Sequence, residues 1–260
     1  MENRTVYIGV DFSMNSPAFA IYSPGIGYEY LNVFNTCKIS KAKNFNVIDY
    51  MVGPNGQMLK HLHSAIIMEF RRDMPIEEPK EIGIENYWKI FMGRNEKMAN
   101  FYVDRLKSIL RDKYNYKDGD KVIMGIENYQ YASFGDSTIQ LIEMTSVFKS
   151  KIMSSGIVKL NDFYVWPSPL IKMHYAKNGN AVKYDMLYAF KSMHNPKSHE
   201  FHKLVHTNFE DMYKKTISKK LKYDKKGKPL TNIKYEVISP IDDIIDAHFL
   251  LEYTRFRVGM

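Results

Sequence analysis

KVIMGIENYQ, residues 121–130, carries an unbroken apolar run into a carboxylate, an amide and an aromatic ring. Bounded by the turn Asp118-Gly119-Asp120, the run reads as a buried strand over Lys121–Glu127. A strand that ends on Glu127 presents a carboxylate at the rim of a sheet, where α/β proteins place their ligands. The five letters GIENY also occur at 83–87. There the approach is IEEPKEIGIE, polar and broken by Pro79, so no comparable strand delivers Glu85. Topology alone permits either copy, because a helix over 57–72 could serve as the crossover before Glu85.

Outward from this strand, the pattern sets out a mixed sheet. Residues 6–11 are a short apolar run ending on Asp11, and 18–22 and 28–34 read as two further strands. Ser-Pro-Gly-Ile-Gly between the last two supplies the turn of an antiparallel meander. Gly53-Pro54-Asn55-Gly56 is a breaker, 57–72 has apolar residues at helical spacing, and 73–81 reads as loop. Residues 95–114 form an amphipathic helix with Met98, Phe101, Tyr102, Leu106, Ile109 and Leu110 on one side. A helix over 138–154 follows, then a strand over Phe163–Trp166 stopped by Pro167, a helix over 181–193, and a polar, Lys-rich stretch over 194–235. The last helix starts near Ser239-Pro240. Ser at N-cap, Pro at N1 and Asp242 at N3 compose a capping box with Asp in place of Glu or Gln. This order is an α/β layout.

The 260 residues are 45% hydrophobic, enough for a sizeable core. Without a Gly/Ser- or Pro-rich linker, the expectation is one domain over 1–260 with insertions at about 37–94 and 194–235. Net charge +8 favours a polyanionic partner such as nucleic acid. Cys37 is the only cysteine, which excludes a disulfide within the chain and any multi-thiolate zinc site, and suits a reducing, cytoplasmic setting. No signal-peptide layout or membrane-length apolar run is present, so no membrane is expected.

The carboxylates carry the chemistry. Asp11 in GVDFS reads on its own equally well as a turn aspartate. In PIDDIIDAHFLLEY, Asp243 and Asp246 lie three apart on one helix face, and Asp242 and Asp246 fit nearly as well. A helix dipole accounts for Asp242. It does not account for Asp246 in an apolar stretch, where a carboxylate needs a partner such as a metal.

The order G-x-D-x-S, G-I-E at a strand end and a closing D-x-x-D-A resembles the RuvC-type Holliday-junction resolvases of the ribonuclease-H-like superfamily. ENYQYASFGDSTIQL resembles the segment after that family's catalytic Glu, and WPSPLIKMHYAKNGNAVKYDM resembles its S-x-x-x-K…G-x-x-A-x-K stretch. The resemblance spans roughly 5–36, 95–193 and 236–255. Where the family's second core helix starts Gly-rich, this chain has Ile142, Glu143, Met144 and Thr145. The resemblance also favours Glu127 over Glu85. The Ala-Ser…Asp-Ser segment follows Glu127 alone, and the distance from Glu127 to PSPLIK leaves room for the one helix the fold requires.

The resemblance implies a ribonuclease-H-like mixed five-stranded sheet flanked by helices, with two insertions. It implies a structure-selective endodeoxyribonuclease acting in DNA recombination and repair on four-way or other branched DNA. Asp11, Glu127, Asp243 and Asp246 would hold two Mg²⁺ ions, with Mn²⁺ able to substitute, and the products would carry 5′-phosphate and 3′-hydroxyl ends. Two-metal hydrolysis needs few side-chain ligands, because Mg²⁺ keeps several waters. Lys172 and Lys183 fall on the family's basic positions near the scissile phosphate. Ser13 in GVDFS, and Tyr129, Gln130, Tyr131 and Phe134 after Glu127, are candidate DNA contacts, with aromatic stacking worth roughly 1–3 kcal/mol per base. Lys214, Lys215, Lys219 and Lys220 belong to YKKTISKKLKYDKKGK, residues 213–228, with eight lysines and a single acid, read as a phosphate-tracking arm. Resolving a junction takes two symmetric nicks, so a homodimer is expected, with 138–154 in its interface through Leu141, Ile142, Thr145, Phe148 and Ile152.

Other readings are another nuclease of the superfamily (terminase-type, exonuclease or RNA–DNA hybrid nuclease), or a non-catalytic DNA-binding protein on this fold. IGVDFS also looks like the first phosphate loop of actin-like ATPases, but no later D-x-G-G-type loop accompanies it. His199, His202 and His206 have helical spacing without a matching third zinc ligand.

Overall fold

Alternation along the first strand sorts the chain into layers. The computed structural model describes residues 4–13, 16–35, 65–71, 83–117, 119–128, 136–193, 197–217, 222–223, 229–230 and 233–259. Strands β1 (Thr5–Asp11), β2 (Ala18–Ser23) and β3 (Gly27–Asn35) form the antiparallel meander. β4 (Ile67–Arg71) adds to β3 in parallel. Helix α1 (Ile84–Tyr114) leads to β5 (Lys121–Glu127), parallel to β1, and α2 (Asp136–Ser154) leads to β6 (Phe163–Trp166), parallel to β5. The sheet order is β4-β3-β2-β1-β5-β6. Its last five strands are the expected mixed sheet of the ribonuclease-H-like class, and β4 extends it at one edge.

Val6, Ile8, Val10, Val122, Met124 and Ile126 face the layer of α1 and α2, with Tyr102, Leu106, Phe148 and Ile152 buried against them. Tyr7, Ala18, Ala20 and Tyr30 lie in the second core. That side carries α3 (Ser168–Ala176), α4 (Lys183–Met193) and α5 (Glu200–Thr207). A hairpin of β7 (Tyr213–Ile217) with β10 (Ile233–Val237) follows, and between them β8 (Lys222–Tyr223) pairs with β9 (Pro229–Leu230). The chain closes with α6 (Ile241–Val258). None of the described helices is long and apolar enough to cross a membrane.

Two glycines bring α6 down onto the sheet. Gly9 and Gly125 sit side by side in the β1–β5 register, and Ala20 flanks Gly9 on β2. A Cβ at Gly9 would run into the Ala247 carbonyl oxygen and the Leu251 backbone, and one at Gly125 into the Thr254 hydroxyl. Each glycine precedes its acid by two residues, so Asp11 and Glu127 point toward the same helix. Trp166 Nε1 donates to Thr254 Oγ1 at 2.9 Å and fixes α6 against β6.

Several boundaries differ from the sequence expectation. Residues 67–71 are a strand, not the end of a helix; a short apolar run fits either, and the free edge of β3 selects the strand. The rest of the expected 57–72 helix, up to residue 64, lies outside the described residues, as does most of the 73–81 loop. α1 begins at Ile84, so the first GIENY copy opens a helix and Glu85 sits in its first turn. α3 was not expected: Ser168-Pro169 looks like a breaker, yet Pro is at home in a helix's first turn. α4 begins at Lys183, two residues later than the pattern suggested. The 194–235 stretch contains α5 and the β7–β10 hairpin rather than being simply polar. The expected capping box at Ser239 is absent: Pro240 is the N-cap of α6, no side chain caps it, and the Ile241 N–H donates to the Ile238 carbonyl at 2.9 Å.

Candidate active site

β1 and β5 run parallel and end together, so Asp11 and Glu127 stand on neighbouring strand ends. Asp242 and Asp243 lie in the first turn of α6 and Asp246 in its second, over those ends. Lys183 is the first residue of α4. Its ammonium pairs with Asp242 Oδ2 and lies 3.7 Å from Asp243 Oδ1. Lys172 on α3 is half-buried and favours the charged form of Glu127. The structure therefore brings together all four expected acids and both expected lysines.

Burial and mutual repulsion dominate the electrostatics. Burial holds the Asp11 carboxyl well above the usual range, and the charges of Asp246, Asp243 and Glu127 push it higher against Lys183. Asp246 is pushed up to about 7, first by burial and then by Glu127. Asp243 is pushed up to about 6, by burial and then by Asp242, with Lys183 and a Ser16 hydrogen bond opposing. Burial raises Glu127 too, against a hydrogen bond from Ser168 and the charges of Lys172 and Lys183. Burial works against the Lys183 charge, yet Asp242, ahead of Asp243 and Asp246, leaves its pKa raised. The ammonium groups of Lys183 and Lys172 do not balance Asp11, Glu127, Asp242, Asp243 and Asp246, which leaves the cluster short of positive charge.

Two serines complete the site. Ser168, at the start of α3, donates to Glu127. Ser16 donates to Asp243, and its own oxygen accepts from Asn32 Nδ2 at 3.0 Å. Asn32 is fully buried on β3, so the meander sets the hydroxyl that orients an acid on α6. The Ser13 hydroxyl, a candidate DNA contact, accepts from the Ser16 N–H at 2.9 Å and so also shapes the turn that presents Ser16. Ser16 and Asn32 carried no motif; Ser168 lay within the S-x-x-x-K stretch, where only Lys172 was assigned a role.

All the candidate donors are carboxylate oxygens, the chemistry a hard divalent cation takes. Among the described residues, no three His, Cys, Asp or Glu side chains are gathered as a ready ligand set. Asp242 and Asp243 turn to Lys183, Asp243 also to Ser16, and Glu127 to Ser168, rather than to one point. The charge and oxygen chemistry fit a metal; the convergence is not preformed.

The other candidates divide. Lys214 and Lys215 are exposed on β7, whose Tyr213 packs edge-on against Tyr184 of α4 at 4.8 Å between ring centroids. Tyr235 of β10 stacks on Tyr184 at 4.2 Å, so the hairpin is rooted one residue from Lys183. Tyr129, Gln130, Tyr131, Phe134, Lys219 and Lys220 lie outside the described residues. The expected dimer face loses most of its members: Thr145, Phe148 and Ile152 are buried within this chain, claimed by the core beneath α2. His202 serves the core, its Nε2 2.8 Å from the Tyr30 hydroxyl.

No protein-family model matches the chain, and no curated protein matches it. Among the solved structures similar to it are two from Thermus thermophilus. One is described as "Thermus thermophilus RuvC structure"; it is 10% identical, covers 98% of this chain and 96% of that chain, and gives a TM-score of 0.42. The other, "T. thermophilus RuvC in complex with Holliday junction substrate", is 10% identical, covers 80% of this chain and 95% of that chain, and gives 0.36. The strand order and directions by themselves make the fold ribonuclease-H-like, with the carboxylates at the carboxyl ends of its two central parallel strands.

Proposed function

We propose that this chain is a metal-dependent endonuclease that cuts branched DNA, with four-way junctions as the substrate its motifs favour. The observation that carries the reading is the gathering of Asp11, Glu127, Asp243 and Asp246 from three distant segments into one half-buried cluster with too little positive charge. A purely structural core has no reason to collect like charges at such cost.

In this reading Asp11, Glu127, Asp243 and Asp246 hold two Mg²⁺ ions, or Mn²⁺ in their place. When bound, such ions activate a water and stabilise the leaving oxygen of an in-line displacement. The chain's own residues do the rest. Burial supplies a low-dielectric setting in which each charge counts for more. Lys183 and Lys172 offer ammonium groups to the non-bridging oxygens of the phosphate. Ser16 and Ser168 hold Asp243 and Glu127 in fixed rotamers by donating to them. Lys214 and Lys215, with Lys219 and Lys220, track the phosphate backbone and add affinity without sequence preference. The aromatic segment 129–135 follows directly from the strand that ends on Glu127, which suits rings that stack on opened bases. A junction has two equivalent strands to cut, and two copies of the chain related by a two-fold axis would supply two sites.

The test is cleavage of a four-way junction, a flap, an RNA–DNA hybrid and a linear duplex in Mg²⁺. Preferred cutting of the branched substrates is expected. Cutting of the hybrid or the linear duplex alone transfers the site to another nuclease activity of this fold, and binding of branched DNA without any cutting favours a non-catalytic protein.

A further inference from the structure

We propose that Asp242 is a positioning residue that steers the Lys183 ammonium over the acidic cluster, rather than a metal ligand or a helix-terminal charge. This rests on the nuclease reading of the site. Asp242 directly precedes Asp243, the first of the two acids that face the strand ends, and its side chain is 8% exposed against 14% for Asp243. Its Oδ2 takes the Lys183 ammonium as both ion pair and hydrogen bond. Its Oδ1 is buried with no hydrogen-bond partner. The carboxylate is therefore committed on one oxygen and desolvated on the other.

Lys183 would not stay in place unaided. Its side chain is 56% exposed, so solvent is open to it. Fixing a lysine side chain costs up to about 2 kcal/mol in rotamer freedom. Asp243, at 3.7 Å, is beyond hydrogen-bonding distance and holds it weakly. The backbone beneath is set independently: the Val182 N–H donates to Asp185 Oδ2 at 3.0 Å, and Met186 and Leu187 are buried. Asp242 is thus the group that chooses between an ammonium in solvent and an ammonium over the acids. A lysine held there meets an incoming phosphate already oriented, and can give up Asp243 for it while its tie to Asp242 remains.

The experiment is a double-mutant cycle of Asp242→Asn and Lys183→Met, with Asp242→Glu as the conservative variant. Single-turnover junction cleavage, junction affinity, the Mg²⁺ midpoint and thermal stability are measured for each. Asp242→Asn is expected to lower the cleavage rate by about 10- to 100-fold, the scale of a misplaced catalytic group. Junction affinity should stay within about twofold and the Mg²⁺ midpoint unchanged, because neither phosphate tracking nor ion ligation is touched. On the Lys183→Met background the same change should add nothing, since its effect runs through that lysine. Asp242→Glu should recover most of the rate. Losses that multiply in the double variant, or an Mg²⁺ midpoint that moves, overturn the proposal. A readout without cleavage accompanies these: the ¹³C-dimethyl resonance of reductively methylated Lys183, assigned by its loss in Lys183→Arg, should shift in Asp242→Asn. An unshifted resonance overturns the proposal, whereas wild-type protein that cuts nothing while the resonance shifts removes the nuclease reading and leaves the pair standing. If Asp242→Asn does not fold, Asp242→Ser takes its place in the same cycle, with the same outcomes expected.

Discussion

Asp246→Asn is expected to stabilise the protein while destroying its activity. The Asp246 carboxyl goes from an ordinary 3.8 to about 7 on folding, chiefly because it is buried and then because Glu127 lies near. A carboxyl whose pKa is raised by folding binds its proton more tightly in the native state. Its contribution to stability is complete below the unfolded value and is lost as the pH rises through the folded one. Three pH units at 1.36 kcal/mol each set a ceiling of about 4 kcal/mol on the cost of ionising it. Removing one charge also relaxes Asp11 and Asp243, and Lys183 redistributes among those that remain, so the expected net gain is about 1–3 kcal/mol above pH 7. The assay is urea unfolding of wild type and variant in EDTA at about pH 5 and about pH 8. The variant's advantage should grow from the lower to the higher pH, and Mg²⁺ should raise the wild-type midpoint more than the variant's. An advantage equal at both pH values, or a variant less stable at pH 8, would refute the claim that these carboxylates repel one another across a buried site.

Other outcomes follow from the same structure. Replacing Lys214, Lys215, Lys219 and Lys220 together should weaken every DNA by a similar factor and make the salt slope of log affinity shallower, by roughly 0.9 for each phosphate no longer neutralised; an unchanged slope removes the arm from the backbone. Gly9→Ala should cost about 3 kcal/mol or more in denaturant unfolding, because its Cβ meets helix backbone that cannot swing aside; a cost under about 1 kcal/mol would mean that α6 does not press on β1 there. Sedimentation at micromolar concentration should give a dimer that linearises a cruciform plasmid by paired nicks. A monomer releasing singly nicked circles would favour a nuclease of another specificity.

Much of the sheet was legible because its strands are strongly marked. Lys121–Glu127 stands where its apolar run and turn put it, since a strand buried on both faces leaves little else that pattern could mean, and Phe163–Trp166 stands where Pro167 stops it. The meander was equally clear from its Gly-rich turn. Edge and insertion elements were not. β4 and the early start of α1 depend on partners far along the chain, which local periodicity does not carry. α3 hid behind two prolines. The acids were legible as motifs, but their neighbours were not: Ser16 reaches Asp243 only because Asn32 and the meander hold it, and Asp242 was one of two adjacent acids whose roles the helix period left open. The α2 stripe shows a related limit. An apolar stripe on α2 looks the same whether it meets a partner or its own core, and here the core takes Phe148 and Ile152.

The most direct test returns to the two GIENY copies. Single-turnover cleavage of an end-labelled four-way junction in Mg²⁺ is to be measured for wild type, Glu127→Gln and Glu85→Gln side by side. The account predicts that Glu127→Gln binds the junction and leaves it uncut, because Glu127 ends β5 beside Asp11, whereas Glu85→Gln, altered in the first turn of α1, cuts like wild type. An active Glu127→Gln beside a dead Glu85→Gln would contradict it.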